Sequence, residues 1–224
     1  MYKLLAGLAG IAAISTTNIA DAVVGVYAKL GTSGYGAGLG VKVSESFRVR
    51  AEYNAFDFDP GDNSATNIET NRFTYTTKLD LRYGALLLDW HPFNGVFRLT
   101  GGAISNGSEL TATPEAGYFL FGNSAYSASQ LNLRAKADFQ SVAPYLGVGW
   151  GDVAGTQGHF SFVADVGLLF QGSPNVKLTA NCAATGSNAN TCRQWLADEE
   201  QQIQDDAKDY KYWPFLSVGV GYKF

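Results

Sequence analysis

The sequence predicts an all-β fold: an eight-stranded antiparallel up-and-down β-barrel that crosses a membrane with strands. Three observations predict it. A two-residue apolar period recurs in eight segments of the chain. The connections between these segments alternate, after a short first one, between tight turns and long polar loops. Glycine is abundant (26 of 224 residues), aromatics reach 13%, charged residues are only 16%, and mean hydropathy is −0.05. Such a composition excludes intrinsic disorder. No run of about 18 apolar residues follows residue 22, which excludes a bundle of transmembrane helices. A net charge of −4 gives no electrostatic case for nucleic acid.

Residues 1–22 read as a secretory signal peptide. Lys3 is followed by the apolar run Leu4 to Ile14, and the segment closes on Ala20-Asp21-Ala22. Eleven apolar residues are too few for a membrane anchor across a core about 30 Å thick. Residues 23–224 then form one barrel domain outside a reducing cytosol. There, Cys182 and Cys192 read as a disulfide closing a local loop. Two cysteines with no nearby histidine do not make a zinc site.

The expected strands are 24–30, 35–43, 47–54, 70–91, 96–106, 133–151, 159–180 and 210–224. The fourth changes phase near Gly84: Phe73, Tyr75, Leu79 and Leu81 are its apolar set above that point, and Leu86, Leu88 and Trp90 below it. A bulge would account for the switch. The connections are 31–34, 44–46, 59–69, 92–95, 107–132, 152–158 and 181–209. Outer-membrane barrels have an even strand number, short periplasmic turns and longer outside loops. With both termini in the periplasm, every long loop lies outside. Phe47, Trp90, Phe93, Phe97, Trp150 and Phe160 then gather at the tight turns as a periplasmic aromatic girdle.

The chain ends Val218-Gly219-Val220-Gly221-Tyr222-Lys223-Phe224. The alternating Val220, Tyr222 and terminal Phe224 look like the sorting signal read by the barrel-assembly machinery. Pro144-Tyr145-Leu146-Gly147-Val148-Gly149-Trp150 echoes Pro214-Phe215-Leu216 and its continuation. With these features, residues 23–224 resemble the OmpA/OmpW-like superfamily of small eight-stranded outer-membrane barrels. The resemblance implies an integral protein of the Gram-negative outer membrane, in contact with its lipid and lipopolysaccharide. It implies no activity, because that superfamily includes anchors, narrow pores and adhesins.

Strand phase points Lys29, Lys42, Arg48, Arg50, Arg98 and Lys223 into the lumen, with Glu52, Asp89 and Asp165 and the polar Tyr27, Asn54, Thr100 and Tyr145. Eight strands leave room for side chains and little more. Buried charges need partners, and Glu52 and Asp165 are the expected acceptors for Arg48, Arg50 and Arg98. Inward glycines leave space either for a narrow water path or for long arginines on neighbouring strands. Six basic against three acidic inward residues make any pore weakly anion-preferring.

Catalysis is not expected. The only histidines, His91 and His159, fall at the periplasmic turns, and no nucleophile or metal-ligand motif is present. No cofactor or metal is expected. A structural or narrow pore-like barrel, passing small solutes, is the first functional reading. The second is an extracellular barrel that binds a partner or a small apolar ligand through loops 107–132 and 181–209. In the last loop a helix is expected over 191–209, capped by Thr191, with Leu196, Ile203, Ala207 and Tyr210 at helical spacing. Tyr118-Phe119-Leu120-Phe121 is too apolar for a solvated loop. It pairs as a hairpin, packs under that helix or dips toward the membrane.

Overall fold

A computed structural model describes residues 23–58, 74–116, 118–121, 123–155 and 159–224. The expected signal peptide (1–22) and the expected loop 59–69 lie outside the described residues. In chain order the elements are β1 (Val24–Gly31), β2 (Gly34–Lys42), β3 (Phe47–Phe58), β4 (Thr74–Trp90), β5 (Phe97–Asn106), β6 (Glu109–Ala116), β7 (Tyr118–Phe121) and β8 (Ser124–Ser127). There follow α1 (Ala128–Leu131), β9 (Arg134–Asp138), β10 (Val142–Trp150), β11 (Phe160–Phe170), β12 (Asn175–Thr179), a 3₁₀ segment (Cys182–Asn188), α2 (Ala189–Ala207) and β13 (Tyr212–Lys223).

Eight strands close into an antiparallel barrel in the order β1, β2, β3, β4, β5, β10, β11, β13, with β13 pairing back onto β1. Closure pairs every barrel strand on both sides, as hydrocarbon demands of a sheet with no water to hydrogen-bond. No described helix is long and apolar enough to cross a membrane. Outward positions of the barrel are apolar and exposed: Val26, Leu39, Leu86, Leu88, Leu146, Phe162, Leu168, Val218 and Val220 among them. Their inward neighbours are buried. At one end the strands are joined by the tight turns, and Phe224 N–H donates to Val24 O at 3.1 Å, so both barrel termini sit there.

At the opposite end four strands continue past the barrel rim. The upper half of β4 pairs with β6, then β9, then β12, in the same order as β4, β5, β10 and β11 below. The wall is therefore one sheet, interrupted at residues 107–108, 139–141 and 171–174. Two long strands expected as continuous (133–151 and 159–180) are each split at these breaks. At 171–174 the left-handed Gly172 (φ 72°) and Pro174 end the ladder and flip the phase: odd residues face inward on β11, even residues on β12.

The expected bulge near Gly84 is absent. The β3–β4 register runs unbroken from Phe47↔Trp90 to Phe58↔Leu79, and irregularity in β4 occurs only at Thr74/Tyr75. Its apolar set changes because the upper barrel interior is itself apolar. Leu81, Tyr83, Ala85 and Leu87 point inward and are buried with Ile104, Leu169 and Phe215.

The segment expected as loop 107–132 is instead β6, a β7–β8 hairpin and α1. Phe119 and Phe121 on one hairpin face pack against Trp195 of α2, at 4.8 and 5.8 Å between ring centroids. Helix α2 starts at Ala189, so Thr191 lies inside it; Asn188 holds the cap position, but its side chain donates to Phe121 O at 3.0 Å and not to the helix. The disulfide Cys182–Cys192 ties the 3₁₀ segment to this helix.

Cys192, Leu196, Glu200 and Gln204 form one i, i+4 stripe on α2. The first two pack in the hairpin cluster. The other two cap the free edge of β12: Leu178 N–H donates to Glu200 Oε2 at 2.7 Å and Val176 N–H to Gln204 Oε1 at 2.8 Å. The geometry fits because four helical residues rise about 6.0 Å and two strand residues about 6.8 Å. An exposed edge strand is a template for unwanted pairing, and α2 covers it. Replacing both Glu200 and Gln204 with alanine leaves these two amides without protein partners. Hydrogen exchange at Val176 and Leu178 is expected to accelerate about 10-fold or more, each bond being worth roughly 1 kcal/mol or more, while exchange in β1–β3 stays unchanged.

Candidate functional site

The barrel interior is the candidate site, and buried side chains line it from the turn end to the upper rim. Nearest the tight turns, the segment after β10 folds into the barrel mouth. Val153 and Ala154 are buried, and Val153 packs with Tyr27 and Val163 inside the barrel. Arg48 holds this segment in place. Its guanidinium donates to Asp152 (Nη2–Oδ2 2.9 Å, Nε–Oδ1 3.2 Å) and to the carbonyls of Ser44 at 2.7 Å and Glu45 at 3.0 Å. Asp152 Oδ1 in turn accepts from Ala154 N–H at 3.1 Å.

Above this plug lie four charges from four strands. Arg50 (β3) donates to Asp89 (β4) at 2.5 and 3.1 Å and to Asp165 (β11) at 3.1 and 3.3 Å. Arg98 (β5) donates to Asp165 at 2.7 Å and to Gly151 O, and its Nε lies 3.6 Å from Asp89. Thr100 O–H donates to Asp89 at 2.6 Å. All five residues are at most 4% exposed. In strand order β3 and β11 are four apart in either direction, so the Arg50–Asp165 contact spans the barrel's diameter. One layer higher, Lys29 pairs with Glu52, which also accepts from Tyr27 O–H at 3.1 Å.

The top layer is apolar: Tyr83, Ile104, Ala143, Tyr145, Leu169 and Phe215, with Leu79 and Trp213 packed against it. Tyr83 and Tyr145 meet Phe215 edge-on at 6.0 and 5.5 Å, and Lys29 Nζ lies 5.3 Å from the Phe215 ring centroid. Glycines provide the room. A Cβ on Gly149 would lie 2.8 Å from the Arg98 guanidinium, and one on Gly167 2.5 Å from the Tyr145 hydroxyl.

Several expected partners change. Arg48 pairs with Asp152, a turn residue without strand period, and not with Glu52 or Asp165. Glu52 is taken by Lys29. Lys42 stands at a strand end and pairs with exposed Glu45 at 2.8 Å, outside the buried network. Lys223 is only half-buried for the same reason: it stands where the last strand leaves the barrel. The buried interior therefore holds Lys29, Arg48, Arg50 and Arg98 against Glu52, Asp89, Asp152 and Asp165, four of each sign. The expected excess of positive charge does not exist there. The space among Gly40, Arg48, Arg50, Asp89, His91 and Asp152 has no volume for a water molecule.

The expected girdle residues stand at the turn end. Phe47 lies opposite Trp90, and Trp150 opposite Phe97, in register. Phe97 meets Trp150 edge-on at 5.9 Å and lies tilted against Phe93 at 6.4 Å, and Phe160 meets Tyr222 edge-on at 5.2 Å. Val220, Tyr222 and Phe224 are all outward and exposed. His91 is buried at the turn end, its Nδ1 2.8 Å from Gly95 O, and His159 stacks on Tyr222 at 5.8 Å. Among the described residues no group of three or more His, Cys, Asp or Glu is placed to hold a metal ion.

A closed antiparallel barrel with apolar outward faces defines the class: the fold of the small eight-stranded outer-membrane barrels. Two solved structures share it. The crystal structures of Acinetobacter baumannii CarO2 and CarO align with TM-scores of 0.55 and 0.53, at 19% and 22% identity. They cover 90% and 89% of this chain and 98% and 97% of their own. No family model matches the chain, and no curated protein does.

Asp152 provides the most local test of the filled mouth. Asp152→Ala removes the partner of a buried guanidinium and the acceptor of the Ala154 amide. Loss of a hydrogen bond to a charged group costs about 1.5–3 kcal/mol. The expected result is a drop of that size in unfolding free energy in detergent, with faster exchange at the Val153 and Ala154 amides.

Proposed function

We propose that this chain is an integral outer-membrane barrel with a closed lumen, whose role is to hold a folded head outside the cell. The observation that carries this reading is the interior itself. Its charges are balanced four against four, and they lie under an apolar layer. A water path needs unpaired charge and polar surface along its whole length, whereas each of these charges is paired with an opposite one.

In this reading the tight turns and both termini are periplasmic, and the exposed aromatics at that end sit at the inner interface. Val220, Tyr222 and Phe224 act as the recognition signal for the barrel-assembly machinery. The signal peptide directs export. The head comprises the upper sheet, the hairpin, the disulfide and α2. No catalytic role is part of this reading: the two histidines stand at the turn end, one donating Nδ1–H to a backbone carbonyl in a buried turn and the other stacked on a girdle tyrosine.

One observation favours a binding role for the head. Tyr118 and Leu120 are 73% and 75% exposed on the hairpin face opposite Phe119 and Phe121. An exposed apolar pair on a rigid hairpin fits an extracellular protein partner.

The test is electrical. Refolded protein that shows the boiled-versus-unboiled gel shift of an intact barrel is inserted into a planar bilayer. The expected trace is flat at ±100 mV, a range set here as about 2.3 kcal/mol per elementary charge. Steady ohmic conductance from the intact barrel contradicts the closed-lumen reading and restores the narrow pore.

A further inference from the structure

The chain contains two Asn-Gly steps, Asn94-Gly95 and Asn106-Gly107. In such a step the backbone nitrogen of the glycine can close a five-membered ring on the asparagine side-chain amide, and no Cβ shields that nitrogen. Groups tethered this closely react as if at very high local concentration. The fold places the two steps in opposite surroundings. Asn106 is 6% exposed, and its Oδ1 accepts from Ser108 N–H at 3.0 Å. Gly107 N–H donates to Arg82 O at 2.8 Å. The nitrogen that would attack is therefore held in the barrel wall, and burial keeps water from the amide.

Asn94 is exposed in the turn between β4 and β5, where Phe93 and Val96 are exposed as well. Among the described residues Gly95 N–H makes no backbone hydrogen bond. The turn is held on both sides of the step: Asn94 N–H donates to His91 O at 3.1 Å, and His91 Nδ1 donates to Gly95 O at 2.8 Å. Ser46, from the neighbouring turn, donates its hydroxyl to Asn94 Oδ1 at 2.9 Å. That oxygen gathers negative charge when the amide carbon is attacked, and a donor already aimed at it lowers the barrier. Packing does not demand the glycine. Its φ is not left-handed, and a Cβ at position 95 would meet nothing nearer than Phe93 O at 3.8 Å. Asn94 itself holds the left-handed φ of 48°, a conformation that asparagine tolerates better than most residues.

We infer that Asn94 is a self-modification site, which deamidates to aspartate and isoaspartate in the folded protein while Asn106 does not. The backbone nitrogen of Gly95 attacks Asn94 Cγ. An N–Cγ bond forms, the Cγ–Nδ2 bond breaks, and Nδ2 leaves as ammonia with the proton of Gly95 N–H. Water then opens the resulting succinimide at either of its two carbonyls. One opening gives aspartate; the other gives isoaspartate, in which the main chain runs through the former side chain. One water enters and one ammonia leaves, and no oxidant or reductant is consumed. Aspartate puts a carboxylate where Ser46 now donates to an amide. Isoaspartate lengthens by one carbon the turn that holds the His91–Gly95 contact. The change does not reverse, so the modified fraction records the age of the molecule.

The experiment incubates full-length, detergent-solubilised protein at mildly alkaline pH in water labelled with heavy oxygen. Peptide mass spectrometry then locates the label. Folded wild type is expected to take up label at residue 94, as a mixture of aspartate and isoaspartate. Residue 106 is expected to react at least tenfold more slowly, because its ring closure waits for local opening of the wall. In protein unfolded by boiling, both residues are expected to react at similar rates. Gly95→Ala, which the turn has room for, is expected to slow residue 94 at least tenfold while the gel shift of the folded barrel is kept. Ser46→Ala is expected to slow it about fivefold, the rate equivalent of about 1 kcal/mol. The comparison of folded with unfolded wild type needs no variant and stands if either substitution disturbs folding. An unlabelled Asn94 in folded protein, over a time in which the unfolded chain has reacted, overturns the site. So do equal rates at residues 94 and 106 in the folded state. A folded Ser46→Ala variant that reacts as fast as wild type overturns the part given to the hydroxyl.

Discussion

Arg50 reaches across the full width of the barrel to Asp165 while also gripping Asp89, and the rest of the interior is arranged around that contact. An arginine buried to 1% exposure is tolerable only with its charge and its donors matched. Here the two carboxylates are matched in turn by Arg98 and Thr100. Strands β3, β4, β5 and β11 are joined through side chains as well as through the hydrogen-bonded ladder. The barrel cannot widen without parting ions in a buried interior. Glycines on the facing strands are the sequence's means of admitting such long side chains into an eight-stranded lumen.

From this constraint follow the layers on either side. Below the charges, a turn anchored by Arg48 and Asp152 folds inward. Above them, tyrosines, leucines and Phe215 pack as they would in a soluble core. The interior therefore runs from ionic to apolar as the wall runs from the turn end to the head. That gradient explains why β4 carries an apolar inward face above Asp89 and an apolar outward face below Gly84. Four strands then leave the barrel as a continuous wall. Helix α2 stands beside β12 above the rim, on the edge that β13 covers on β11 below.

Much of this was legible in the sequence. A period of two with small, polar or charged alternates identifies the eight barrel strands and the side that each residue faces, so Lys29, Arg50, Glu52, Arg98 and Asp165 could be placed inside. Pairing was less legible. Phase says which way a side chain points but not how far it reaches, so Glu52 went to a neighbour on β1 and Arg48 to a turn. Asp152 carries no periodic signal because turns have none. Lys42 and Lys223 share the inward phase, yet they stand where strands leave the barrel and water competes. The head was the least legible part. Residues 109–116 and 118–127 alternate weakly, and their partners on β4, β9 and each other are set by tertiary contact. The last-loop helix was legible from Leu196, Ile203, Ala207 and Tyr210 and not from the stripe Cys192, Leu196, Glu200, Gln204, whose polar half reads as a solvated face until the strand edge beside it is known.

The closed lumen stands or falls on whether Arg50 and Asp165 act as one unit. The most direct measurement is a double-mutant cycle on Arg50→Met and Asp165→Leu, read as unfolding free energy in detergent. Each single change strands an opposite charge in a buried site, where the expected loss is about 3–5 kcal/mol. The double variant leaves Asp89 and Arg98 balanced, and its loss is expected to fall short of the sum by about 2–3 kcal/mol. Two small, additive losses would mean that water already reaches both groups, and the account of a solid, charge-locked interior would be wrong.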